Sequence, residues 1–233
     1  MVHRPTALIT GASAGFGLAL ARSLVGRGWQ VIGTARRADR LERVRAELGD
    51  ALLAVPGDVT EPGYRAELAD TARRVGDLEV VVNNASRLGP SPMPRLADYA
   101  LDELESVYRT NVFAPLAIAQ FTLPLLRAGG GVLVNISSDA GVEPYPDWGG
   151  YGSSKAALDQ LTAILAAENP QVSIYAFDPG DMRTEMHQAA FPGTDISGIP
   201  LPETVVPTLL RLIEERPKNG RYTAADFATG VAR

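Results

Sequence analysis

The stretch Ala7-Leu8-Ile9-Thr10-Gly11-Ala12-Ser13-Ala14-Gly15-Phe16-Gly17-Leu18-Ala19-Leu20-Ala21 decides the fold. A short apolar run, Ala7–Thr10, leads into Gly11, Gly15 and Gly17, and Leu18, Ala21, Leu24 and Val25 then recur on one side at helical spacing. The order is therefore strand, glycine-rich turn, helix. Glycines allow positive φ and let a phosphate-bearing ligand approach the backbone closely. The helix starting near Gly17 offers free N–H groups and the positive end of its dipole. A plain tight turn uses the same residues, so the position between strand and helix is what favours a nucleotide loop.

Working outward, the same alternation repeats. Strands are expected over Ala7–Thr10, Gln30–Thr34, Ala51–Val55, Val80–Asn83, Gly131–Ile136, Val172–Phe177 and Gly220–Thr223. They are apolar at consecutive positions, as strands covered on both faces are. Helical patterns occupy Gly17–Val25, Leu41–Leu48, Pro62–Val75, Leu101–Tyr108, Val112–Leu126, Tyr151–Ala167 and Pro202–Glu215. Parallel neighbours need crossover connections, so the expected fold is α/β: a doubly wound parallel sheet of about seven strands with helices on both faces, a Rossmann fold. Residues 1–233 read as a single domain. Ligands in such sheets bind beyond the carboxyl ends of the strands.

Composition narrows the function. The 233 residues carry a formal net charge of −5, which gives no case for a nucleic-acid partner. No cysteine is present, which excludes a disulfide framework, a thiolate zinc site and a cysteine nucleophile. The two histidines, His3 and His187, are remote in sequence and read as loop residues, so no metal is expected. No apolar run approaches the ~20 residues of a spanning helix, and Ala7-Leu8-Ile9 is too short for a signal-peptide core. A cytoplasmic protein with no membrane partner is the expectation.

The strand ends carry the chemistry. The second strand runs into Ala35-Arg36-Arg37, where an NAD site usually places a carboxylate for the ribose hydroxyls. Two guanidinium groups suit a 2′-phosphate instead, so the coenzyme reads as NADP(H), with Asp39 nearby as the opposing signal. Asp58, before Val59, either receives an adenine amine or caps the next turn. Asn83 and Asn84 either tie neighbouring loops or merely fill them.

Tyr151 stands thirteen residues after Ser138, and Lys155 follows at i+4, on the same helical face. Lowering a phenol from about 10 to about 7 takes roughly 4 kcal/mol. One ammonium about 4 Å away supplies about that at an effective dielectric of about 20. Lys155, helped by an oxidised nicotinamide ring, is therefore sufficient in principle to activate Tyr151.

Thr10–Gly17, Asp58, Asn83-Asn84-Ala85, Asn111, Ser138, Tyr151/Lys155 and Pro179-Gly180, in this order, resemble the short-chain dehydrogenase/reductase family from about Thr6 to Tyr222. The resemblance implies Tyr151 as general acid/base, Ser138 as the hydroxyl polarising the substrate oxygen, and Lys155 as the group that lowers the Tyr151 pKa and holds the nicotinamide ribose. It implies a water-binding Asn111, and coenzyme contacts from Gly11, Ser13, Gly15, Phe16, Gly17, Arg36, Arg37, Asp58, Val59, Asn84, Pro179, Gly180, Met182 and Thr184. Ser86 stands where the family usually has glycine, and no basic residue precedes Gly15.

The implied activity is hydride transfer between NADP(H) and a small-molecule carbonyl or secondary alcohol, in the direction of ketone or aldehyde reduction. Residues 181–201, with Pro192-Gly193 and Gly198, read either as a lid over the substrate or as a surface loop. A homodimer or homotetramer is expected, on the small residues of Val112–Leu126 and Tyr151–Ala167. A catalytically silent NADP(H)-binding sensor or scaffold is the alternative, and it has no need of Ser138, Tyr151 and Lys155 together.

Overall fold

In the computed structural model, which describes residues 4–228, strand and helix alternate as the patterning requires. The elements are β1 (Thr6–Thr10), α1 (Gly15–Gly26), β2 (Gln30–Ala35), α2 (Ala38–Leu48), β3 (Leu52–Pro56), α3 (Pro62–Val75), β4 (Leu78–Asn83), α4 (Leu101–Tyr108), α5 (Ala114–Gly129), β5 (Val132–Ile136), α6 (Gly149–Glu168), β6 (Ser173–Asp178), α7 (Glu185–Ala190), α8 (Pro202–Glu215) and β7 (Gly220–Thr223). The strands form one parallel sheet in the order β3-β2-β1-β4-β5-β6-β7.

Successive strand side chains point to opposite faces, so each apolar run feeds two cores. Ala7, Ile9, Val31, Val80, Val82, Val134, Tyr175 and Phe177 pack with Leu20 and Leu24 of α1, Leu41 of α2 and Leu209 and Ile213 of α8. Leu8, Ile32, Val81, Leu133 and Ile174 pack on the other face with Leu68 of α3 and Ile118, Leu123 and Leu126 of α5. Each fully buried Leu, Ile or Phe contributes about 1.5–3 kcal/mol. The sheet's consecutive apolar residues are thus the direct cause of its two-sided covering.

Beyond shifts of two or three residues at the starts of α2 and α6, these features depart from the sequence reading. First, α4 and α5 are joined without a break by a π-helical turn, Arg109–Phe113, where two separate helices are expected. The resulting run, Leu101–Gly129, is long and apolar enough to cross a membrane by length and composition, against the expectation that no such run exists. Ala114, Ile118, Ala119, Leu123 and Leu126 of this run are buried in the second core, which accounts for much of its hydropathy. Second, α7 forms inside the 181–201 segment, with the Thr184 hydroxyl accepting from His187 N at 3.1 Å as its N-cap. Third, α1 begins at Gly15, two residues before the expected start.

The order of the sheet reverses between β1 and β4. Loops leaving the two strands diverge there and open a crevice. His3 lies outside the described residues.

Candidate active site

A pocket of about 780 Å³ occupies that crevice, and six loops at the carboxyl ends of β1 to β6 wall it. One end is formed by Ala35, Arg36, Arg37, Asp58 and Val59, and the other by Ser86, Leu88, Ser138, Trp148, Tyr151 and Met186.

Between the two ends runs the glycine loop. Gly11 and Gly15 adopt φ of +70° and +53°, a conformation that side chains rarely take. Ser13, Ala14 and Phe16 complete the loop's pocket wall. Thr10 Oγ1 accepts from the backbone N of both Asn84 and Ala85 at 2.9 Å. Asn84 Nδ2 donates back to Thr10 O at 2.8 Å, so the asparagine ties the β1 and β4 loops. Gly17 does not line the pocket. Its missing Cβ leaves room for Asn84 Nδ2 and Gly11 O, so its contribution to a coenzyme site is packing.

At the first end, Arg36 Nη1 lies 4.0 Å from Asp58 Oδ2, and its side chain is exposed. Asp58 Oδ1 accepts from Thr60 N and Oγ1 at 2.9 and 2.8 Å, so this residue does cap the next turn. Arg37 Nη2 donates to Glu185 Oε2 at 3.1 Å, and Arg40 Nη1 donates to Oε1 at 2.6 Å. The Arg40 and Arg37 guanidinium groups hold the Glu185 carboxyl below the usual range. Arg36 and Arg37 therefore differ: the former is open toward the pocket, and the latter is engaged by α7.

At the other end, Ser138, Tyr151 and Lys155 converge on the pocket wall. Lys155 Nζ donates to Ile136 O at 2.7 Å and stands 5.4 Å from the centre of the Tyr151 ring. Burial lowers the Lys155 ammonium to about 8, against the pull of Asp159 and Asp178. The Tyr151 side chain is buried beside this lysine. Burial pushes the Tyr151 phenol up to about 12, and the Ser86 and Ser138 hydroxyls only partly oppose that rise. Lys155 gives one of its three N–H donors to the Ile136 carbonyl, while desolvation acts on the whole phenol.

Ser138 Oγ donates to Asp139 Oδ1 at 2.9 Å and accepts from Ala140 N at 3.2 Å. Asp139 Oδ2 accepts from Tyr145 Oη at 3.0 Å, which places Tyr145 away from the proton-transfer position. Asn111 is buried behind this set and does not line the pocket. Its Nδ2 donates to Arg87 O and Ser154 Oγ, both at 2.9 Å, and its Oδ1 accepts from Arg87 N at 2.8 Å and Ser86 Oγ at 3.1 Å. Both N–H donors of its amide are engaged by protein. Ser86, the departure from the family's glycine, is explained here: its hydroxyl binds Asn111.

Pro179, Gly180, Met182 and Thr184 line the pocket from the β6 side. Asp178 Oδ1 accepts from Gly180 N at 2.9 Å and shapes that turn. Rings cluster at the end that holds Tyr151: Trp148 lies 5.9 Å from Tyr151 and 5.8 Å from Phe191, centre to centre, and His187 lies 4.9 Å from Phe191. Sequence reasoning missed Glu185 and Asp139 as groups that engage site residues. Glu185 comes from a helix 148 residues away from Arg37, for which no local signal exists. Asp139 was readable, because it adjoins Ser138.

The positive-φ glycines, the volume and the two chemically distinct ends fit a dinucleotide coenzyme. Comparison with known proteins agrees with this geometry. The short chain dehydrogenase family model matches residues 5–195. A serine 3-dehydrogenase of Agrobacterium fabrum is 40% identical over 184 residues, covering 77% of this chain and 73% of the relative. A short chain dehydrogenase from Shigella flexneri, solved with NADP, superposes with a TM-score of 0.89 at 27% identity, covering 95% of this chain and 97% of that one. An alcohol dehydrogenase from Thermococcus sibiricus, solved with 5-hydroxy-NADP, superposes with a TM-score of 0.83 at 29% identity, covering 95% and 96%.

Proposed function

The chain belongs to the short-chain dehydrogenase family, and on that footing we propose that it reduces a ketone or aldehyde with NADPH, Tyr151 donating the proton. Members of the family are oxidoreductases that use nicotinamide coenzymes. The observation that carries the finer reading is one pocket with Arg36 and Asp58 at one end and Ser138, Tyr151 and Lys155 at the other.

When bound, the coenzyme supplies the hydride. The glycine loop and Thr184 would hold its phosphates and nicotinamide side, and Arg36, with Arg37, its 2′-phosphate. Lys155 would hold the ribose. Those assignments leave the proton chemistry to this chain. A phenol pushed up to about 12 stays protonated at neutral pH, so Tyr151 would hold the proton that carbonyl reduction consumes, and the Lys155 ammonium would stabilise the phenolate left behind. Ser138 must turn its hydroxyl from Asp139 to the substrate oxygen, which would exchange one acceptor for another at little cost.

The 181–201 segment closes on itself, since Arg183 N donates to Pro200 O at 2.8 Å. Ser91 Oγ also donates to Ala189 O at 2.6 Å, which pins α7 to the opposite wall. These contacts support its reading as a lid that keeps water from the reacting groups. A homodimer or homotetramer belongs to the same proposal, and light scattering measures it.

The test is titration of nicotinamide fluorescence with NADPH and NADH, on the wild type and on Arg36→Ala, followed by a carbonyl panel on the wild type and Tyr151→Phe. NADPH affinity should fall about tenfold or more in Arg36→Ala with NADH little changed. Turnover should fall about a hundredfold or more in Tyr151→Phe. Binding of neither coenzyme rejects the proposal. Tight NADPH binding without turnover on any carbonyl favours a silent sensor.

A further inference from the structure

Arg221 is the central residue of a charged cluster that the roles above do not use. It sits on the edge strand β7, opposite Ala176 of β6, with a side chain only 29% exposed. Its Nη2 donates to Ser138 O at 3.0 Å and to Asp178 Oδ2 at 2.8 Å, and its Nε donates to Asp159 Oδ2 at 3.1 Å. Three elements thus meet on one planar fork. Ser138 O is the end of the β5 segment that carries the polarising hydroxyl. Asp178 fixes the Pro179-Gly180 turn through Gly180 N. Asp159 lies on α6 at i+8 from Tyr151 and i+4 from Lys155, on the same helical face.

We propose that Arg221 is a positioning residue of this active site, whose single guanidinium locks the Ser138 backbone, the Asp178 turn and the Tyr151/Lys155 helix into one unit. The inference rests on the reading of Ser138, Tyr151 and Lys155 as the reacting set. Two kinds of physical work are separable. The fork sets distance, because a planar guanidinium donates along fixed directions to several acceptors at once. Its charge sets electrostatics: Asp159 and Asp178 both pull the Lys155 ammonium upward, and Arg221 neutralises both. The ionisable groups around Lys155 are Tyr151 and Asp159 on α6, Asp178 on β6, Asp139 after β5 and Arg221 on β7. Arg221 is the cation in that set able to offset the two carboxylates. Its loss would leave them mostly buried and unpaired, which favours a charged Lys155 and a protonated Tyr151.

The composition offers a direct readout, since Lys155 and Lys218 are the only lysines of the chain. Protein grown on lysine carbon-labelled at Cε gives two side-chain NMR signals, assigned with Lys218→Arg, and their pH titration needs no substrate. Arg221→Gln should raise the Lys155 midpoint by about half a pH unit or more. With NADPH and phenanthrenequinone as the carbonyl probe, its kcat should fall about ten- to a hundredfold with KM little changed. Arg221→Lys should return the midpoint toward wild type while kcat stays reduced, because an ammonium carries the charge without the fork. A wild-type Lys155 midpoint in Arg221→Gln overturns the electrostatic role and the proposal with it. Should Arg221→Gln not fold, full kcat in Arg221→Lys overturns the positional role. Unimpaired turnover in Tyr151→Phe instead overturns the underlying reading, and the lysine titration is unaffected by that result.

Discussion

Gly17 and Asn84 meet where there is no room for a side chain: a Cβ on Gly17 would stand 2.5 Å from Asn84 Nδ2 and 2.5 Å from Gly11 O. The crossing joins the start of α1 to the loop after β4, and Asn84 Nδ2 uses the space to reach Thr10 O.

Gly17→Ala therefore sets two effects against each other. Alanine gains up to about 1 kcal/mol of helix propensity over glycine. Overpacking against backbone costs about 1–3 kcal/mol, and the Asn84 bond to Thr10 O is displaced as well. The clash wins, and the variant should lose about 1–3 kcal/mol of stability in urea unfolding. A variant at least as stable as wild type would show that the crossing relaxes.

Lys155 gives a pH-dependent stability with a definite sign. Its folded pKa, about 8, lies below the ordinary 10.5, so from about pH 8 to 10.5 the unfolded chain binds more protons than the folded one. Wild-type stability should rise with pH across that window relative to Lys155→Met, by about 3 kcal/mol at most. The raised Tyr151 pKa acts in both proteins and cancels from the difference. Parallel unfolding free energies at pH 7 and pH 10 would refute the shift.

Asn111 is a structural hub. Asn111→Ala removes the partner of Arg87 N and O and of the Ser86 hydroxyl, while Ser154 Oγ keeps its bond to Tyr151 O. Chemical denaturation should show a loss of about 2–4 kcal/mol. A loss of activity with unchanged stability would instead identify a direct part in the reaction.

In the proposed coenzyme site, Glu185 would compete with a 2′-phosphate for Arg37. In Glu185→Gln, Arg37 is released from a carboxylate and becomes available to a 2′-phosphate. The pair is exposed and worth about 1 kcal/mol or less, so NADPH should bind about two- to fivefold tighter while NADH stays the same. Weaker binding of both coenzymes would mean that the contact acts as a clasp holding α7 over the pocket.

The seven strands were legible because two-sided burial writes itself as consecutive apolar residues, and the pocket-facing loops followed from the strand ends. Ser138, Tyr151 and Lys155 were singled out by an ordered set of motifs that resemble the family, and the structure brings all three to one pocket. The join between α4 and α5 was not, because Arg109–Phe113 has no breaker and a five-residue π-turn leaves no period of its own in the sequence. Nor was α7, a six-residue helix too short to show a period.

Sequence alone determined which residues lie at the carboxyl ends of the strands, and so which side chains surround the pocket, because strand periodicity and parallel connection are local and topological rules. Only the tertiary structure decided what those side chains do to one another. Glu185 holds Arg37, Arg221 holds Ser138 and Asp178, and Lys155 turns to Ile136. The physical reason is range: a hydrogen bond or a desolvation penalty depends on ångström distances between elements remote in sequence, and no local pattern encodes them.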